Sequence, residues 1–419
     1  MNELLLQYIW QHQLFNKQLL TTVQGHPLEI LDKGVFNTNQ GPDFLNGRIR
    51  IEDTTWAGHI ELHIKGSDWN RHQHSIDRNY DNVILHVVWD NDIILPRDIP
   101  TLLIEDKVST IVLERYRGMM HRSLFIPCEN IFSQAIPGLI DQMLKQMLEH
   151  RLNRKADHVL ELLNSNDRHW EEALWWMMAR SFGGNINGDA FESIARSIPY
   201  PVVARHRTQI HQLESLLLGQ ADLLTGNMED QYAIMLQKEY KFLQRKYQIN
   251  PSRIPVHFLR MRPQNFPTVR LAQLAMLMHS NAHLFAIVLQ TESLEEIKML
   301  FDVTANDYWH YHYRLNESTP LNKKSTGKDF IHSIILNAII PVLFCYGREQ
   351  HDSRILEKAQ SWMNQLPAER NAISNGFEKL GIAMDNAFKS QSVLELKHYY
   401  CDQKLCLECA IGKKLLAFN

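Results

Sequence analysis

Residues 56–65, WAGHIELHIK, constrain the fold more than any other part of the chain. At strand period they put Ile60, Leu62 and Ile64 on one face and His59, Glu61, His63 and Lys65 on the other. Such alternation predicts a sheet strand with one packed face, leaving the polar face to chemistry or solvent. The surrounding stretch, 40–92, adds Pro42-Asp43 upstream and Asp68, His72, His74, Asp77 and His86 downstream. Carboxylates and imidazoles at this density point to a metal. The plainer account is that HIELHIK is the solvent face of an antiparallel strand, where charged residues belong.

The neighbouring segments give the strand its partners. Residues 3–20 read as an amphipathic helix, 28–37 as a strand with a bulge at Gly34, and 47–53 as a second strand. The short Thr54-Thr55 link predicts an antiparallel hairpin into 56–65. Gly66-Ser67-Asp68 offers a cap for a short helix through about 80, and 83–89 reads as a strand buried on both faces. The order is α-β-β-β-α-β, with up to two more strands over 93–112.

Beyond 125 the pattern turns helical, with apolar spacing of three to four over 139–163, 170–182, 189–197, 208–218, 229–247, 267–279, 294–301, 329–343, 354–365 and 374–390. Residues 317–328, ESTPLNKKSTGK, read as a mobile loop. The predicted architecture is an N-terminal α/β domain with a mixed sheet over 1–125, a large all-α domain over 126–395, and a cysteine-rich tail over 396–419 packing back on the body.

Charge narrows the function less than it might. Forty-four Lys and Arg against 47 Asp and Glu leave a net −3, so any surface for DNA or RNA must be local. Arg260, Arg262 and Arg270 flank a loop entering a helix, an arrangement suited to phosphate contacts. Pairing with neighbouring carboxylates is the competing account. The run Tyr308-Trp309-His310-Tyr311-His312-Tyr313 can stack single-stranded bases or fill an irregular core.

Five cysteines, at 128, 345, 401, 406 and 409, match a reduced compartment better than a disulfide framework. The N-terminus lacks a basic leader, and the most apolar run, 330–346, is broken by polar residues and Pro341, so the expected location is cytoplasmic with no membrane partner.

Two further clusters carry metal-ligating chemistry. His74 and Asp77 can share a face of the short helix where His72 and His74 cannot, which leaves one of the two histidines idle. With His63 they compose a two-histidine, one-carboxylate set for a transition metal. In the tail, His398-x2-Cys401-x4-Cys406-x2-Cys409 supplies four ligands at zinc-like spacing, while buried unligated thiols are the alternative.

The α-β-β-β-α-β order, with Pro42-Asp43 entering a strand and Glu61 on the next, resembles the restriction-endonuclease-like PD-(D/E)XK nucleases. The resemblance covers about the first 110 residues. It implies that Asp43 and Glu61 hold Mg2+ or Mn2+ for phosphodiester hydrolysis and that a lysine two after the glutamate handles the water. Here that position is His63, with Lys65 one step further along the same face. Several nucleases of this class hold an iron–sulfur cluster through three C-terminal cysteines and one upstream cysteine, which would be Cys128 or Cys345. Through QGPDF, HIELH, the SDWxxHxHxxD segment and the cysteine tail, the whole chain also resembles a family of bacterial proteins of unknown function, found chiefly in Bacteroidota.

The expected function is therefore a metal-dependent nuclease acting on DNA or RNA, with Asp43, Glu61, His63 and Lys65 as its chemical groups. A catalytically inactive nuclease-like scaffold and a non-nuclease metallohydrolase built on His63, His74 and Asp77 are the alternatives. Oligomeric state has no signature in the sequence.

Overall fold

The computed structural model describes residues 1–37, 39–93, 99–121 and 124–417, and its contacts separate into two units. The sheet unit comprises Met1–Lys145, Asn375–Ile382 and Leu394–Asn419, and the helical unit Gln146–Ser374 and Ala383–Val393. The divisions expected at 125 and 395 are displaced, because units follow packing rather than chain order. Phe377, for instance, meets Phe125 of the sheet unit edge to face at 5.2 Å.

In the sheet unit, helix α1 (Glu3–His12) is capped by the Asn2 side chain and stopped by Gln13 in the left-handed region, shorter than the 3–20 pattern suggests. Strands β1 (Leu28–Asp32), β2 (Val35–Phe36), β3 (Phe44–Ile51), β4 (Thr54–Lys65), β5 (Val83–Asp90) and β6 (Thr101–Leu103) form one sheet. Its order is β1-β3-β4-β5-β6, with β2 pairing on β3. The β1–β3, β2–β3 and β3–β4 pairs are antiparallel, and β4–β5 and β5–β6 are parallel. A two-residue turn at Glu52-Asp53, with Glu52 at φ 52°, closes the β3–β4 hairpin one step earlier than the Thr54-Thr55 link predicts. After β5 a single short strand is seen where up to two were expected; residues 94–98 lie outside the described residues.

The segment between β4 and β5 departs most from the sequence pattern. Helix α2 spans only Asp68–Arg71, and Gln73 at φ 59° turns the chain into two short 3-10 turns, His74–Ile76 and Arg78–Tyr80. Trp69 and Tyr80 there pack with Val83 and Ile99. Glu61 and His63 on the polar face of β4 are only 4% and 1% exposed, so the solvent-face account of HIELHIK is overturned. β5 is buried from Val83 to Val88, as its unbroken apolar run predicts. Helix α3 (Thr110–His121) follows.

The helical unit takes in most of α4 (Pro137–Asn164), then α5 (Trp170–Arg196), α6 (Tyr200–His206), α7 (Ile210–Gln220), α8 (Gln231–Tyr247) and α9 (Pro267–Ser280), followed by shorter helices. Two predicted helices, 170–182 and 189–197, are the arms of α5, which breaks at Gly184 (φ 60°, ψ −157°), a conformation open only to glycine. Conversely, 374–390 is divided between Ala372–Lys379 and Ala387–Leu396, with Gly381 at φ 92° between them. The run Lys328–Gln350 is long and apolar enough to cross a membrane, and 72% of its most apolar window is buried inside the protein. The loop expected to be mobile at 317–328 is tied down: Lys324 and Thr326 are buried, and Thr326 Oγ1 donates to the Phe301 carbonyl at 2.6 Å.

Candidate metal centre

Asp43 and Glu61 meet because the antiparallel hairpin sets the start of β3 beside the middle of β4, with Phe44 opposite Ile60. The Asp43 N–H donates to Glu61 Oε2 at 3.0 Å, while Asp43 Oδ2 accepts from the Leu62 N–H at 2.9 Å and Oδ1 from Gln7 Nε2 of α1 at 2.8 Å. Burial, and then the Glu61 charge, push the Asp43 carboxyl up to about 8, and burial pushes Glu61 up as well. Glu3 of α1 adds negative charge to both. Two carboxyls raised together in a low-dielectric place form a site that a cation would relieve.

Imidazoles cover the same ground. Glu61 Oε1 lies 3.3 Å from His74 Nε2 and 3.5 Å from His63 Nε2. His63 Nδ1 contacts His86 Nε2 at 2.8 Å, and His63 Nε2 contacts His72 Nδ1 at 3.2 Å. One ring nitrogen from each of His63, His72 and His74 lies within 4.8 Å of the others. Burial and the neighbouring imidazoles push His63 down to about 2 and His86 down to about 4, so both are neutral, the form that ligates metal. His74 is lowered by burial and stacks on Tyr80 at 3.8 Å. Its Nε2 and His86 Nδ1 are buried without a hydrogen-bond partner. A buried His74 nitrogen that makes no hydrogen bond yet stands 3.3 Å from the raised Glu61 carboxyl fits a divalent cation.

Four of the residues expected at the site, Asp43, Glu61, His63 and His74, are brought together. Lys65 is not: it is exposed, its N–H donates to Asp68 Oδ2 at 3.1 Å, and its charge acts on Asp92 instead. Asp77 is engaged otherwise, its Oδ1 capping the second 3-10 turn through Asn79, while its charge acts on His74. The expectation that His72 and His74 cannot both serve rested on an unbroken helix. With Gln73 left-handed, His72 and His74 both stand with His63. Gln7 went unrecognised in the sequence, where one amide on an apolar helix carries no signal.

The other candidates separate similarly. Arg270 has its guanidinium 3.4 Å from the Phe330 ring centroid and donates to Gln273 and Asn265. Arg260 and Arg262 are exposed. Tyr308 is sandwiched between Tyr232 at 4.4 Å and His312 at 3.9 Å, so its faces are closed to bases.

In the tail, His398 is exposed and paired with Asp402 at 3.3 Å. Cys345 lies in the core of the helical unit, whereas Cys128, Cys401, Cys406 and Cys409 all belong to the sheet unit. The 3-10 helix Glu129–Gln134 after Cys128 packs on the helix Ala410–Ala417 after Cys409. Burial, followed by the charges of Cys406 and Cys409, pushes the Cys128 thiol up to about 12. Cys401 is raised by burial and then by Cys128, Cys409 and Cys406. The N–H groups of Gly412 and Ile411 donate to the Cys409 sulfur. Among the described residues the cysteines do not form a group within 4.8 Å, as the histidines do.

No curated protein and no solved structure matches the chain. Residues 3–372 match the model of a family described as a protein of unknown function, DUF2851, and the chain belongs to that family.

Proposed function

We propose that the chain is a metal-dependent nuclease, hydrolysing phosphodiester bonds in DNA or RNA at the Asp43–Glu61–histidine cluster. The observation that carries this reading is the pairing of half-buried Asp43 with buried Glu61 where β3 meets β4, with His63 and His74 against Glu61 and His72 grouped with those two. An antiparallel β3–β4 hairpin, a parallel β5 and a helix packed on β4 support a restriction-endonuclease-like core. Asp43, Glu61, His63 and His74 would hold the ion, with His72 at the exposed rim. Mixed oxygen and nitrogen donors favour Mn2+ or Zn2+ over Mg2+. A divalent ion bound here supplies Lewis-acid polarisation of the phosphoryl group and acidifies a water. Asp43 and Glu61 balance the ion's charge, and the backbone and Gln7 hydrogen bonds to Asp43 fix its orientation. His63, neutral and held through Nδ1 by His86, would present Nε2 to the ion, in the position where the PD-(D/E)XK nucleases it resembles carry lysine.

The test is cleavage of single- and double-stranded DNA and RNA by the purified full chain with Mg2+, Mn2+ or Zn2+. Metal-dependent cleavage that falls at least about 100-fold in Glu61→Gln and Asp43→Asn is expected. Cleavage unchanged in Glu61→Gln overturns the reading, and stoichiometric metal without cleavage of any substrate leaves the inactive scaffold in its place.

A separate observation supports a second metal centre: Cys128, Cys401, Cys406 and Cys409 share the sheet unit and act on one another electrostatically. Thiolates on one tetrahedral zinc at about 2.3 Å stand roughly 3.8 Å apart. The wider arrangement here favours an iron–sulfur core, whose inorganic atoms lie between the ligands. Iron and acid-labile sulfide in anaerobically purified protein, lost in Cys128→Ser and retained in Cys345→Ser, are expected. Zinc in their place would refute the cluster.

A further inference from the structure

Residues 240–291 contain seven Lys and Arg and no Asp or Glu. At the chain's average of 47 carboxylates in 419 residues about six would fall there, so this stretch is basic although the whole chain is not. It runs from the end of α8 through the connection 248–266 into α9, all within the helical unit. Arg253, Arg260 and Arg262 lie in that connection with exposed side chains. None of the three makes a side-chain hydrogen bond, ion pair or ring contact among the described residues, so pairing with carboxylates does not hold them. Arg270, in the first turns of α9, donates to the neutral amide oxygens of Asn265 at 2.6 Å and Gln273 at 2.9 Å.

The connection is pinned at both ends. Asn187, 1% exposed and just past the Gly184 break in α5, bonds both sides of His257: its Oδ1 accepts the N–H at 2.7 Å and its Nδ2 donates to the carbonyl at 2.9 Å. The Ser252 N–H donates to the Gln220 carbonyl at 2.8 Å, and its hydroxyl to Ser193 Oγ at 2.8 Å. Phe258 and Phe266 meet edge to face at 5.2 Å, with the Arg314 guanidinium 4.8 Å and 5.2 Å from their centroids. Arg314 also faces Glu317 at 3.8 Å and belongs to this scaffold. Between the anchors a turn carries Leu259, 79% exposed, and Arg260 at φ 61°. A long connection fixed in this way presents its cations without a large ordering cost on binding.

Three unpaired guanidiniums on one fixed loop fit phosphate, whose oxygens match the planar fork of arginine. A lipid surface would draw aromatic rings outward, yet Phe258 and Phe266 turn to each other, leaving Ile254 and Leu259 as the exposed large apolar side chains of the connection. The first residues of α9, Pro267, Thr268 and Val269, are buried, so the arginines and not the helix end would meet the anion. We propose that Arg253, Arg260 and Arg262 bind the phosphates of a DNA or RNA backbone, a contact that positions the strand and reads no base. The inference rests on the reading that the chain acts on nucleic acid and uses none of the metal-site residues.

It is tested by fluorescence anisotropy of the full chain with labelled single-stranded DNA, single-stranded RNA and duplex DNA, in chelator, from about 50 to about 200 mM salt. Replacing the three together, Arg253→Gln, Arg260→Gln and Arg262→Gln, is expected to weaken binding at least about tenfold at low salt. The slope of log affinity on log salt should flatten by about 2 on single strands and about 3 on duplex. The three side chains have no native partners to lose, so thermal unfolding of this variant should match that of the wild type. Leu259→Ala should leave nucleic-acid affinity unchanged. Chelator removes cleavage from the readout, and Glu61→Gln should bind as the wild type does. Arginine-dependent binding by a chain that cleaves nothing therefore removes the nuclease reading and supports this one. Affinity and salt slope unchanged in the triple variant, no binding to any of the three nucleic acids, or Leu259-dependent binding to phosphatidylglycerol vesicles in their place, overturns the proposal.

Discussion

Replacing Glu61 with glutamine should change stability in opposite directions with and without metal. Burial raises the Glu61 carboxyl from its ordinary 4.5 to about 8, so at neutral pH the native protein holds a proton that the unfolded chain has released. The sign follows from that difference: stability is greatest below pH 4.5 and falls as pH rises toward 8, because the unfolded state binds fewer protons. At pH 7 the loss is 2.5 pH units at about 1.36 kcal/mol each, at most about 3 kcal/mol. Near pH 5 it is below about 1 kcal/mol. Glutamine keeps an oxygen for the Asp43 N–H and carries no titratable charge. In chelator at pH 7, Glu61→Gln should therefore stabilise the sheet unit by up to about 3 kcal/mol, and hardly at all at pH 5. With Mn2+ at a hundredfold excess over its dissociation constant, the wild type should gain about 2.7 kcal/mol while the variant gains little. Hydrogen exchange of the β4 and β5 amides reads the sheet unit directly, which global unfolding of a two-unit chain does not. A variant less stable than wild type in chelator at pH 7, or one equally protected by Mn2+, refutes the reasoning.

Three further predictions concern other parts of the molecule. His72 is exposed, so His72→Ala should leave the fold intact and lower Mn2+ or Zn2+ affinity on the order of 10-fold or more, measured by calorimetry. Glu214 is fully buried, accepts the Tyr232 hydroxyl at 2.5 Å and is pushed by burial from 4.5 up to about 7. It should therefore cost stability as pH rises between those values, about 3 kcal/mol once complete, and Glu214→Gln should flatten that slope in urea titrations at pH 5 and pH 8. Gly219 of α7 faces Tyr240 of α8 so closely that a Cβ would stand 2.1 Å from the ring. Gly219→Ala should cost about 1–3 kcal/mol despite its better helix propensity, and a double variant with Tyr240→Leu should recover most of it in thermal unfolding.

The hairpin and its two carboxylates were legible because both follow from period-two alternation and a short turn, which are local signals. Pro42-Asp43 and Glu61 come together through register alone. The lid over them was not legible. One left-handed glutamine, at a position with no glycine or asparagine to announce it, breaks the helix so that His72 and His74 both join His63. The spacing of Cys401, Cys406 and Cys409 suggested ligands, with His398 or an upstream cysteine, Cys128 or Cys345, as the fourth; packing, which no local spacing carries, puts Cys128 in the same unit as the three and leaves His398 exposed beside Asp402. Lys65 shares a strand face with Glu61 on paper. In the folded chain it stands at the strand's exposed end, beyond the cover that encloses Glu61 and His63.

The sheet unit is assembled from three segments, Met1–Lys145, Asn375–Ile382 and Leu394–Asn419, and 248 residues stand between the first and the last. During synthesis at about 5–20 residues per second, the first segment leaves the ribosome roughly 10 to 50 s before the last. The tyrosine of α1 whose hydroxyl donates to the Lys413 carbonyl, Tyr8, must wait that long for its acceptor. The same delay separates Cys128 from its three companions. Until the segment from 394 is made, Tyr8 and Cys128 thus stand without their cover, and a chain cut before that segment would keep all six strands yet lose the packing of Ala410–Ala417 on α3 and on the 3-10 helix after Cys128.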